Sequence, residues 1–260
     1  MASNAIDPEM AAFVSYVTAA VLTGVYVVGS VGASGVAADS LWRVEKRRAS
    51  DGALVWRQFI DAPSTVDRPM DVAVDEGGLY VVGVQRPTGS SSVDGRWRIE
   101  RRTPDAGVLD WEHTVDPTAA GDRARGVAIG ASGLLIVGEQ GWDGSGAAWR
   151  VERRSPVDGA RMWTRTYDPT ASVERAVDAA VDPTGVYAVG RDASPGGARL
   201  VKRAPDGTLR WERTPASADD PWRPRAAAAS PDGLFTAGEG TGALGDATWQ
   251  IERREPDGTR

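Results

Sequence analysis

The chain has no cysteine, a single histidine (His113) and only two lysines (Lys46 and Lys202) among its 30 basic residues. Without cysteine, disulfides, thiol nucleophiles and zinc–thiolate centres are excluded together. One histidine rules out a histidine metal cluster and leaves no legible histidine–acid–nucleophile set, so neither a metal nor a cofactor is expected. Positive charge is not in excess either. The formal charge is −6, which argues against nucleic acid as a partner, because that affinity rests on neutralising phosphates. No sustained 3.6-residue apolar period runs through the chain, which excludes a helical solenoid. The motif "DGSG" at 143–146 is too short for a calcium loop. "GVYVVG" at 24–29 lacks the lysine and serine of a phosphate-binding loop.

What is there is repetition. "GVYVVG" (24–29) recurs as "GLYVVG" (78–83), "GLLIVG" (133–138), "GVYAVG" (185–190) and "GLFTAG" (233–238). A charged segment follows each: "WRVEKR" from Trp42, "WRIERR" from Trp97, "WRVERR" from Trp149, "ARLVKR" from Ala198 and "WQIERR" from Trp249. Next come an Asp-Gly or Ala-Gly turn and a tryptophan four residues beyond its glycine: Trp56, Trp111, Trp163 and Trp211. The short segments are rich in Val, Ile, Tyr and Trp and bounded by Gly, Pro and Asp, which are strand signals. Asp-Gly between two of them suits the positive φ of a hairpin. Each copy yields four strands, A to D, exemplified by "DVAVD", "LYVVG", "WRIERR" and "VLDWEHT". Four antiparallel strands recurring at about 50 residues predict a β-propeller blade.

The expected fold is therefore all-β, a five-bladed β-propeller in one domain over residues 1–260. Its blades are placed at approximately 17–60, 71–115, 126–167, 177–213, and 226–260 plus 1–8. Asp61, Asp116 and Asp168 each lie 17 residues before the glycine that opens the next B strand, and Asp7 lies 17 before Gly24. The N-terminus thus reads as a D strand that completes the last blade and closes the ring, leaving no orphan edge. The uncharged run from Met10 to Ala38 is long enough to span a bilayer. It nevertheless aligns with the A and B strands of the other copies, so no membrane span is expected. The acidic "MASNAIDPE" before it offers no recognisable signal peptide.

These motifs resemble the bacterial SBBP-type β-propeller repeats, whose pattern reads "aVD..GnvYVtG", a charged strand, then "dG..lW". "DVAVDEGGLYVVG" with "GVLDW", and "DAAVDPTGVYAVG" with "GTLRW", match it best. The resemblance implies a propeller in an extracellular or cell-envelope protein and carries no catalytic residues. Ala198 in the tryptophan position and the apolar first A strand depart from the pattern.

Repeated tryptophans are expected to pack between blades, since large rings bury much apolar area. Trp142 and Trp222 break the pattern and fall in loops that share one face, where unrepeated aromatics are candidate ligand contacts. With Arg223, Glu139, Glu239 and Arg191, and the apolar Phe13 and Tyr16 of the first blade, they form the candidate ligand-binding site. Arginine recurs ten residues before the B-strand glycine, at Arg68, Arg123, Arg175 and Arg223. These four are either a candidate anion rim or a scaffold feature in which each pairs with an acid of its own or the adjacent blade; Asp67, Asp122 and Glu174 precede three of them. The alternating Arg and Glu of the C strands read as inter-blade or surface ion pairs. The function expected is a non-catalytic binding or interaction module for a glycan or a protein. One alternative is a carboxylate-based glycan hydrolase or lyase using Glu139 and Glu239; another is a structural spacer in a surface assembly.

Overall fold

The computed structural model describes residues 13–21, 24–32, 40–60, 67–87, 94–168, 174–192, 197–214, 222–241 and 246–260, with only the backbone of 13–21 and of Thr241. Every regular element among them is a strand, and no helix is present that is long and apolar enough to cross a membrane. The strands form antiparallel sheets, one per sequence repeat, each laid out in chain order. Sheet one is β1 (Phe13–Val21), β2 (Gly24–Gly32), β3 (Ser40–Arg47) and β4 (Leu54–Ile60). Sheet two is β5 (Arg68–Val74), β6 (Leu79–Gln85), β7 (Arg96–Arg102) and β8 (Leu109–Val115). Sheet three is β9 (Gly121–Gly130), β10 (Gly133–Trp142), β11 (Ala148–Arg154) and β12 (Arg161–Tyr167). Sheet four is β13 (Arg175–Asp182), β14 (Gly185–Arg191), β15 (Ala198–Arg203) and β16 (Leu209–Arg213). Sheet five has three strands, β17 (Arg223–Ser230), β18 (Gly233–Thr241) and β19 (Ala247–Arg254).

Period-two alternation gives each sheet two faces, and the core lies between successive sheets. Tyr26, Val28, Trp42 and Val44 of sheet one pack on Val72, Leu79 and Val81 of sheet two. The same layer recurs from two to three (Tyr80, Trp97 and Ile99 on Val127, Leu134 and Ile136) and from three to four (Leu135, Val137 and Trp149 on Ala179, Val186 and Ala188). The first strands of each sheet pack in the order β1, β5, β9, β13, β17, as their small side chains permit. Indole N–H groups fix the register of neighbouring sheets. Trp97 Nε1 donates to the Glu139 carbonyl (3.0 Å) and Trp149 Nε1 to that of Arg191 (2.8 Å). In the outer strands, Trp56, Trp163 and Trp211 donate to the carbonyls of Pro104, Pro205 and Pro256.

The charged third strands, expected to form inter-blade or surface ion pairs, instead pair largely within their own strand and in the interior. In β7, Glu100 is fully buried and accepts from Arg98 Nε (2.6 Å) and Arg102 Nε (2.7 Å), both two residues away on its own strand. Glu152 does the same with Arg150 and Arg154. The outer arginine also caps the hairpin: Arg102 Nη1 donates to the Gly107 carbonyl and Arg154 Nη1 to that of Gly159. Both glycines hold positive φ (68° and 71°), which a side chain would strain. The inner arginine works between sheets, Arg98 lying over Trp42 (5.7 Å) and Arg150 over Trp97 (5.8 Å).

Sheet five differs from the others. Trp249 stands at the register of Trp42, Trp97 and Trp149, yet it is exposed. β17 and β1 share no packing comparable to that between successive sheets. The ring closure expected from Asp7 and residues 1–8 falls outside the described residues.

Candidate functional site

The innermost strands begin earlier than the sequence pattern suggests, with the recurrent arginines Arg68, Arg175 and Arg223 as first residues and Arg123 as the third of β9. The cause is a β-bulge two residues after each arginine, at Met70, Arg125, Val177 and Arg225. A bulge interrupts period-two alternation, so the segment ahead of it does not read as strand. The partner strand supplies glycine opposite the bulge. A Cβ on Gly83, Gly138, Gly190 or Gly238 would collide with the carbonyl of Arg68, Arg123, Arg175 or Arg223 respectively. The last residue of each "GVYVVG"-type motif is thus glycine because two backbones approach closely there.

This register places each arginine directly opposite the residue that follows the glycine: Arg68 faces Val84, Arg123 faces Glu139, Arg175 faces Arg191 and Arg223 faces Glu239. Glu139 is fully buried and gathers three guanidinium groups across two sheets. Arg123 Nη1 lies 2.7 Å and Arg125 Nη2 2.9 Å from its Oε1, and Arg175 Nε of sheet four lies 2.8 Å from its Oε2. Glu239 is exposed and is clasped by Arg225 through Nε (3.1 Å) and Nη2 (3.2 Å). The hydrogen bond and charge of Arg225, helped by Arg223 and Arg191, hold its carboxyl below the usual range.

The opposition of Arg175 and Arg191 is a like-charge pair, which is destabilising in a cross-strand position. Burial, and then the guanidinium groups of Arg223, Arg175 and Arg225, pull Arg191 below its ordinary value. Its Nε is buried with no hydrogen-bond partner among the described residues. Burial, followed by Arg123 and Arg68, lowers Arg86 in the same way. Eight arginines (68, 86, 123, 125, 175, 191, 223, 225) therefore form one electrostatic arc over sheets two to five, with Glu239 exposed within it. Arg68 and Arg223 are exposed and make no ion pair with described residues.

Arg123 and Arg175 thus pair with Glu139, an acid of their own and of the adjacent sheet respectively. Asp67, Asp122 and Glu174 are buried, and their N–H groups donate to the carbonyls of Ser40, Gly95 and Ala147 at the start of the preceding sheet's third strand. Asp122 accepts from Thr118 and from the Gly141 N–H, and burial pushes its carboxyl up to about 6. They anchor loops to the scaffold.

Of the two unrepeated tryptophans, only Trp142 is on the surface. It is half-buried at the end of β10, with the Arg123 guanidinium 4.5 Å from its ring centroid. Trp222 is 2% exposed and sits in the layer between sheets four and five with Tyr187, Leu200 and Ala198. It belongs to the core, not to the ligand face the sequence suggested. The physical reason is Ala198: the third strand of sheet four lacks its tryptophan, and Trp222 fills the room from the facing sheet. Phe13 and Tyr16 have side chains outside the described residues. Sequence reasoning missed Arg86 and the bulge residues Arg125 and Arg225. The signal for the last two was present, since "RAR" (123–125) and "RPR" (223–225) stand at the same repeat position. Among the described residues no group of three or more acids or histidines is placed to hold a metal ion.

No family model and no curated protein matches this chain. Solved structures do. The quinohemoprotein alcohol dehydrogenase of Comamonas testosteroni is similar at 15% identity and TM-score 0.53, over 90% of this chain and 39% of that one. The quinohemoprotein alcohol dehydrogenase ADHIIG of Pseudomonas putida HK5 is similar at 17% identity and TM-score 0.54, over 92% and 38%. A GH43_1 enzyme from Xanthomonas citri is similar at 11% identity and TM-score 0.50, over 95% and 89%. The chain thus spans well under half the length of the two dehydrogenases. These likenesses bear on the fold, which is all-β and propeller-like.

Proposed function

We propose that this chain is a non-catalytic binding module, its five sheets being five propeller blades, and that its ligand is an acidic glycan held on the arginine arc. The reading rests on Arg191. Its charge opposes Arg175 directly across the strand pair, Arg223 and Arg225 crowd it, and its buried Nε has no partner among the described residues. A carboxylate or sulfate at that point supplies the missing acceptor and relieves the repulsion, and charge-assisted bonds of this kind are the strong ones. Trp142, backed by Arg123, offers a sugar ring a stacking surface at the edge of the arc. The SBBP-type repeat resemblance suits such a ligand, since it implies an extracellular or cell-envelope setting. The hydrolase alternative draws no support from the carboxylates named for it, because Glu139 is enclosed by three arginines and Glu239 is clasped by Arg225.

Calorimetric titration with uronate- and sulfate-bearing glycans, against neutral ones, tests the reading. Acidic glycans are expected to bind, and binding should weaken as salt rises. Arg191→Ala should lose about tenfold or more in affinity, the worth of a charge-assisted bond, while its melting temperature is unchanged or raised because a like-charge pair has gone. Equal binding of neutral glycans, or an Arg191→Ala chain that binds as the parent does, would refute it.

A further inference from the structure

Along the arginine arc, each step from one sheet to the next repeats one frame. Its parts are the residue after the B-strand glycine, the arginine opposite it, the bulge residue, and the arginine that opens the next sheet. At sheet three the frame is closed by the chain itself, since Glu139 takes Arg123, Arg125 and Arg175. That step shows what the frame can hold: a carboxylate bound by guanidinium groups of two successive sheets. The steps on either side carry arginines without that carboxylate. At sheet four Arg191 stands in the place of Glu139, with Arg175 opposite and Arg223 near.

At sheet two the same place is taken by Val84, which is buried and brings no charge to Arg68 opposite it. Arg86, two residues beyond Val84 and so on the same side of the strand, adds a second guanidinium. Its Nε donates to the Asp94 carbonyl (3.2 Å). The next residue, Gly95, bridges to Gly121 and accepts the Asp122 N–H (2.7 Å) at the start of β9. This path sets Arg86 beside Arg123 of sheet three. Arg68 is exposed and Arg86 half-buried, and neither makes an ion pair with a described residue. Asp94 offsets the pull of Arg123 and Arg68 on Arg86 only in part, since the net shift is downward. Trp142 lies on sheet three between the two open steps, its ring backed by Arg123.

We propose that Arg68, Arg86 and Arg123 form a second anion subsite, and that the ligand is a polyanionic glycan chain long enough to place one acidic group there and another at Arg191, with a sugar face on Trp142 between them. This extends, and rests on, the assignment of the arc to an acidic glycan. At the middle step the arginines are held by Glu139, so the two subsites are separate and one acidic group does not serve both. Linking two contacts in one ligand makes the second an intramolecular event, which raises affinity without a new contact.

Calorimetric titration with galacturonate oligomers and with heparin oligosaccharides, each of increasing length and at one salt concentration, tests the proposal. Affinity is expected to rise about a hundredfold or more once the chain spans both subsites, and to level off beyond. Arg68→Ala combined with Arg86→Gln should abolish that rise, so that long oligomers bind no better than short ones. Arg161→Ala combined with Arg210→Ala removes the same charge from exposed positions of the outer strands β12 and β16 and should leave the rise intact. This pair separates a built subsite from the general attraction of a polyanion. Should the first double variant melt below the parent, Arg68→Ala alone, at an exposed side chain, is expected to show a reduced rise. Affinity that does not grow with length, a rise that survives loss of Arg68 and Arg86, or one that falls equally in the control pair overturns the second subsite and leaves the Arg191 site standing. Failure of both series to bind at any length overturns both.

Discussion

At the scale of single residues, the pairing of Ala198 with Trp222 shows how a repeat protein loses one large side chain without leaving a void. Three third strands carry a tryptophan in the inter-sheet layer, and the fourth carries Ala198, whose missing volume is taken up by Trp222 from the opposite side. A dense interior tolerates this exchange only if total volume is kept. Trp222→Ala is therefore expected to cost about 3–5 kcal/mol, as large-to-small core substitutions do. Ala198→Trp alone should also destabilise, by overpacking. The double variant should recover a good part of the loss, because the ring returns to the same layer. Urea unfolding of the four chains measures the coupling, and strictly additive effects would show that the two sites do not share one space. Both halves of this arrangement were visible in the sequence, as an alanine that breaks the motif and a tryptophan outside it. Their relation was not, because no spacing rule says that two departures 24 residues apart meet across a sheet interface.

At the scale of elements, the strands were legible and the bulges were not. The B, C and D strands follow from β-branched and aromatic runs between turn residues, and they appear in every described repeat that carries them. The A strands were read three or more residues too short, because the bulge at Met70, Arg125, Val177 or Arg225 resets the alternation. Missing the bulge also hid the arc, since it brings Arg125 onto the Glu139 carboxylate that Arg123 also holds and Arg225 onto Glu239. The A strands carry a second device. Asp71 Oδ2 accepts the Val127 N–H (2.7 Å) and Asp178 Oδ2 accepts the Ala227 N–H (2.6 Å), stitching β5 to β9 and β13 to β17. Burial pushes both carboxyls up, and the charge of Asp178 pushes Asp71 further. For Asp178 the folded-state value is about 6 against an ordinary 3.8, so between these values the folded chain keeps a proton that the unfolded chain releases. Its contribution to stability is thus fully present at low pH and is lost as pH rises through about 6. Carboxyls held below their usual range, such as Glu45 and Asp182, act in the opposite sense only in more acidic solution. The chain should accordingly be more stable at about pH 5 than at about pH 7.5 by roughly 1–2 kcal/mol for this group. Asp178→Asn should flatten the difference. Thermal melts at the two pH values check this, and a parent chain that is more stable at the higher pH would count against the buried-carboxyl account.

At the scale of the whole molecule, the repeat number and the inter-sheet layers were readable, because a fifty-residue period of four strands leaves few alternatives. Whether the last sheet meets the first turns on residues 1–8, which lie outside the described residues. The structure places the sheets in a series in which each touches its neighbours, so stability is approximately a sum of sheet and interface contributions. Sheets two, three and four are covered on both faces by layers built around Trp42, Trp97, Trp149 and Trp222. Among the described residues, sheet five has one such layer, three strands and an exposed front at Trp249 and Ile251. Local opening free energy tracks buried apolar contact, so sheet five should open well below the global unfolding free energy while the middle sheets open only with the whole. Native-state hydrogen exchange on dilute protein is expected to show β18 and β19 exchanging at least tenfold faster than β6, β7, β10 and β11. Uniform protection across all five sheets in dilute solution would mean that the front of sheet five is covered within the single chain, and the series would then be a closed one.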